Sequence, residues 1–172
     1  MKPELRYRDE ADRAHGAIGA VIGVCAYDGE KYLVSVNIDN TAAEIMQLSE
    51  EFYLHGSPMF SVAASWRRLV SNYRLAVAMC AGNLLCRRMV GDRVYTPPEE
   101  RRALRQAVVE RCDECALEAS EAEMLFENCY NHLEQIFDNH MVARTVSDMV
   151  HQLCSRREMS RHEIMEYLSG LM

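Results

Sequence analysis

The sequence predicts a mainly α-helical protein, with an N-terminal β-hairpin followed by about five helices packed as a bundle. Three observations carry that expectation. Beyond residue 41, apolar side chains recur at steps of three and four, the spacing of one helical face. Ser, Thr and Pro precede these stripes where helices start, and Gly stands where they stop. Ahead of them, "AIGAVIGVCAYDGEKYLVSVNID" places Asp28-Gly29, a two-residue hairpin turn, between two apolar runs. The 172 residues suit one domain with one sizeable core: an irregular lead-in over 1–16, the hairpin over 17–39, and helices over 41–172.

In the hairpin, the Asp28-Gly29 turn sets Tyr27 opposite Glu30. One face then collects Val21, Cys25, Tyr32, Val34, Val36 and Ile38, and Gly19 and Gly23 face large partners. A lone two-stranded ribbon is marginal in water, so this face must lie on helices or meet a second copy.

Helical signals follow in order. Thr41 with Glu44 has capping-box spacing, and Gly56 is a natural stop. Ser57-Pro58 fits an N-cap with Pro at the first helical position. The stripe Val62, Trp66, Leu69, Tyr73, Ala76, Cys80, Leu84 predicts a long helix to about Gly91, with a kink at Gly82-Asn83. Thr96-Pro97 starts a helix whose apolar side carries Leu104, Val108, Cys112 and Cys115. Ser120 with Glu123 marks a break near 118–120. Leu125, Cys129, Leu133, Ile136, His140 and Ala143 form the next stripe, which continues to Leu153. Ser160 with Glu163 caps a short last helix through Ile164, Tyr167 and Leu168.

Composition narrows the function. A net charge of −7 argues against a general nucleic-acid binder, which needs a basic face. "GAIGAVIGVCAY" is too short to span a bilayer, and the charged N-terminus lacks a signal peptide's apolar run. The expected location is the cytoplasm. Seven Cys, an odd number, then suit reduced thiols. Over residues 99–136, ten acidic side chains face four Arg, so most of the negative charge gathers there.

Chemistry-bearing motifs are sparse. No P-loop, dinucleotide fingerprint, H-E-x-x-H or G-x-S-x-G occurs. Cys112 and Cys115 form a C-x-x-C, and Cys129 and His132 a C-x-x-H, with thirteen residues between them. A helical hairpin turning near Ser120 would bring the two dyads abreast, and three thiolates with one imidazole make an acceptable tetrahedral zinc set. The economical alternative is core packing, because these Cys fall on apolar stripes. The leading expectation is a non-enzymatic helical interaction or regulatory protein without a cofactor. It would be a homo-oligomer through the hairpin edge, or bind a protein partner. The alternatives are a zinc-stabilised Cys112/Cys115/Cys129/His132 protein and a small-molecule binder or enzyme with a pocket between hairpin and helices.

Overall fold

A computed structural model describes residues 7–42, 44–53, 62–90 and 98–171, with side chains from residue 69 onward in the third segment. The protein is mainly α-helical, with seven α-helices and a small antiparallel sheet among the described residues.

The first helix, α1 (Glu10–Cys25), starts at Asp9. The Asp9 carboxylate accepts the Asp12 N–H at 2.8 Å, and Glu10 and Asp12 put negative charge in the first turn, where a helix dipole favours it. Residues 10–25, expected as lead-in and first hairpin strand, are therefore helical. The reason lies in the glycines. Gly16, Gly19 and Gly23 step by three and four, which places them on one helical face. That face lies backbone to backbone on α3 (Val62–Arg87), opposite Ala78 and Gly82. The apolar run that suggested a strand belongs to a helix buried almost all round, packed also on β2 (Met46–Leu48) and α6 (His140–Arg156).

Asp28 does turn the chain, with φ 57. It joins α1 to a 3-10 turn (Glu30–Tyr32) and β1 (Leu33–Asn37), the second of the two expected strands. β1 is the centre of a sheet ordered β2-β1-β3, with β3 at Glu158–Ser160. Val36 pairs with Met46 on one side and Met159 on the other, and both Val36 and Met159 are fully buried. The hairpin partner of β1 is thus β2, from a segment expected to be helical. Thr41 and Glu44 close a turn instead of capping a helix. The Glu44 N–H donates to the Thr41 carbonyl, and the Thr41 hydroxyl to the Glu44 carboxylate. Burying Ile38 and Ile45 beside the sheet outweighs local helix propensity, and only the four-residue α2 (Glu50–Tyr53) remains of the expected helix. Gly56, Ser57-Pro58, Gly91 and Thr96-Pro97 lie outside the described residues.

α3 is one unbroken helix through Gly82-Asn83, the site of the expected kink, and Gly82 there serves close approach to Gly19. Its Leu69–Arg87 portion is long and apolar enough to cross a membrane, but half of it is buried inside the fold. α4 (Pro98–Glu110) ends before the C-x-x-C, which forms its own 3-10 turn over Cys112–Cys115. Ala116 follows in the left-handed region, φ 54. α5 (Ala119–Asp138) opens with Glu118 and Glu121 as its capping box, two residues before the expected Ser120–Glu123 pair. The expected continuous helix to Leu153 is broken at Asn139, whose extended backbone ends α5 and whose side chain accepts the Met141 N–H to start α6. Ser160 and Glu163 cap α7 (Arg161–Ser169) as expected. Phe126, Tyr130 and Leu133 of α5 meet Met149 and Leu153 of α6 in the main core.

Candidate functional site

The chain turns between α4 and α5, as a zinc hairpin requires, yet the four candidate ligands are divided among three environments. Cys112 and Cys115 pack with Leu117 and Ala122 in a small cluster of their own. Cys129 belongs to the main core, seven residues beyond Ala122, about 10 Å along α5 by helical rise. His132 is exposed and meets the Tyr27 ring edge-on, with centroids 5.7 Å apart. Zinc–sulfur bonds of about 2.3 Å require all ligands within roughly 4 Å of one another. Among the described residues, no three His, Cys, Asp or Glu side chains converge to hold a metal. Burial also pushes the Cys115 thiol up and the Cys129 thiol up to about 11, favouring the protonated form over the thiolate a metal needs.

Several of the acidic side chains of 99–136 have a structural use. Arg101 pairs with Glu127, and Arg105 spans Glu123 at 3.2 Å and Glu127 at 3.7 Å, lacing α4 to α5. Arg111 pairs with Glu114 at 2.9 Å across the intervening turn.

What Cys129 does reach is a groove. Tyr27, just past the end of α1, Arg74 of α3, and Ser120, Met124, Asn128 and Cys129 of α5 line an open cavity of about 490 Å³. The Tyr27 hydroxyl is placed to donate to a Cys129 thiolate, and burial pushes the Tyr27 phenol well above its ordinary range. Arg74 is close enough to draw both groups downward, and it makes no ion pair among the described residues. The neighbouring Glu121 carboxylate is committed to the helix cap, accepting the Glu118 N–H at 2.8 Å. Met124 is 66% exposed, the most exposed of the large apolar side chains described.

A second, more apolar groove of about 360 Å³ lies on the far side of the Tyr27–His132 pair, lined by Ile22, Cys25, Ile136 and Leu168 among others. The Tyr27–His132 contact stands at the boundary of the two, since each ring lines one of them. Sequence reasoning found Cys129 and His132 but missed Tyr27 and Arg74. Nothing local distinguishes either one: Tyr27 precedes a turn, and Arg74 sits on the polar side of a helical stripe. Comparison with protein-family models, curated proteins and solved structures returns no match.

Proposed function

We propose that this chain is a non-enzymatic helical regulatory module, binding a small amphipathic molecule with an anionic group in the Tyr27–Arg74–Met124 groove. The observation that carries the reading is Met124, two-thirds exposed on the wall of a concave site that also holds a guanidinium without an ion-pair partner among the described residues. A volume of about 490 Å³ lies within the few hundred to about 1,000 Å³ common for small-ligand sites. Tyr27, Met124 and Leu125 offer apolar contact, Arg74 offers charge pairing, and Ser120 and Asn128 offer hydrogen bonds. Self-association through the outer edge of β2 and residence in the cytoplasm belong to the same reading.

The test is a fluorescence titration with 1-anilinonaphthalene-8-sulfonate, an anionic apolar probe, mapped by amide shifts in α5. Saturable binding with shifts at Met124 and Asn128, weakened about tenfold by Arg74→Ala, supports the reading. Absent saturation, or affinity unmoved by both Arg74→Ala and Met124→Gln, overturns it. A clean monomer by light scattering at tens of micromolar removes the β2-edge association alone.

A further inference from the structure

We infer that Cys112 and Cys115 are a reversible thiol-oxidation site, closing a disulfide within their turn by exchange with a small disulfide such as oxidised glutathione. The structure places this C-x-x-C in a separate 3-10 turn, Cys112–Cys115, between α4 and α5. A 3-10 helix has three residues per turn and rises about 2 Å per residue, so residues i and i+3 eclipse one another with Cα atoms about 6 Å apart. That lies inside the roughly 4.4–6.8 Å span of disulfide-linked Cα pairs.

Two further observations agree with that placement. The Cys115 thiol donates to the Cys112 carbonyl at 3.4 Å, so its sulfur is turned back along the turn, while the Cys112 thiol lies 3.9 Å from the Asp113 carboxylate and must rotate to meet it. Both side chains also sit in one small cluster. The turn is locked from outside by the Leu117 N–H donating to the Cys112 carbonyl and by left-handed Ala116.

Accessibility orders the steps. Cys112 is 8% exposed and Cys115 2%, so the outer thiol meets the oxidant first. The Cys112 thiolate attacks one sulfur of oxidised glutathione, forming a mixed disulfide and expelling one glutathione thiolate. The Cys115 thiolate then attacks the Cys112 sulfur, forming the internal disulfide and expelling the second. Two protein thiols lose two protons and two electrons, and one glutathione disulfide becomes two glutathione thiols.

The test uses the full chain, incubated with oxidised glutathione, quenched with N-ethylmaleimide and digested after Glu. The digest separates Cys112 in "RCDE" (111–114) from Cys115 in "CALE" (115–118) and both from Cys129. The expected product is RCDE linked to CALE, formed with unchanged far-ultraviolet circular dichroism and reversed by dithiothreitol. In Cys115→Ser, the glutathione adduct on Cys112 should persist for want of a resolving thiol. Recovery of both peptides as maleimide adducts overturns the inference. So does stable glutathione on both Cys112 and Cys115 of the unmutated chain.

Discussion

Gly19 and Gly82 touch backbone to backbone where α1 crosses α3. A Cβ on Gly19 would lie 2.1 Å from the Gly82 carbonyl oxygen, and a Cβ on Gly82 would lie 2.2 Å from the Gly19 carbonyl oxygen. Ordinary carbon–oxygen contacts are about 3.3 Å or longer, so a methyl at either position must push the helices apart. The crossing brings α1 into the core, and α1 in turn delivers Tyr27 to the groove.

Gly19→Ala and Gly82→Ala should therefore each destabilise the fold. Helix propensity favours Ala over Gly by about 1 kcal/mol, but overpacking a tight contact costs about 1–3 kcal/mol, and here the obstacle is backbone that cannot rotate away. The expected outcome is a lower urea midpoint with little change in slope. Gly170→Ala is the control, because the nearest heavy atom to its Cβ is 3.9 Å away and its midpoint should hardly move. A Gly19→Ala midpoint at or above that of the unmutated chain would remove the close crossing.

The helical part of the fold was legible because its signals are local. The stripe from Leu69 to Leu84 and the Ser160–Glu163 box mean the same thing in any context. The reading of 17–25 failed because a nearly all-apolar run has no polar face to reveal its period. The glycine spacing was the one usable clue, and it was assigned to a strand. β3 was invisible, since "EMS" becomes a strand only when Val36 is there to pair with Met159. The site was half legible. Cys129 and His132 stood out by residue type, but Tyr27 and Arg74 come from distant elements that only the tertiary fold brings together.

Asp12 is the second structural anchor. Its carboxylate is fully buried and receives Arg87 twice, from Nε at 2.9 Å and Nη2 at 2.8 Å, with the Arg8 N–H at 3.0 Å. Burial alone would raise its pKa, but the hydrogen bonds and charges of Arg87 and Arg8 prevail and hold it at about 2, against an ordinary 3.8. A folded value below the unfolded one means stability that is fully present above about pH 4 and lost as pH falls towards 2. The amount is on the order of 2 kcal/mol. Asp12→Asn should cost on the order of 2 kcal/mol at neutral pH by removing the carboxylate charge that Arg87 and Arg8 stabilise, and should flatten the acid limb of stability against pH. Urea midpoints at pH 7, 4 and 3 check both effects.

Asn139 separates α5 from α6 with a single capping residue. Its side chain accepts the Met141 N–H at 2.9 Å while its own N–H donates to the Ile136 carbonyl at 3.2 Å. Asn139→Ala should cost about 1 kcal/mol, and Asn139→Asp, which keeps the accepting oxygen, should cost less. Thermal melts of the two variants give the comparison. Equal losses would show that α6 does not depend on this cap.

The thiols make the last prediction, one that bears directly on the groove. Reactivity follows the thiolate fraction, so a thiol at about 11 labels roughly tenfold faster for each pH unit over the neutral to mildly alkaline range. Cys129 should follow that course with iodoacetamide, ahead of Cys86, which is completely buried against Gly19. Tyr27 sharpens the test. Its hydroxyl is placed to donate to the Cys129 thiolate and draws the thiol pKa down, so Tyr27→Phe removes that donor. If the hydrogen bond governs the site, Cys129 labels more slowly in Tyr27→Phe at every pH below 11, although a smaller side chain now covers it. If access governs instead, Tyr27→Phe labels faster, and the groove wall is a loose cover. Mass spectrometry of the Glu-cleaved Cys129 peptide "NCYNHLE" over a pH series separates the two outcomes, because only the first shifts the whole rate profile to higher pH.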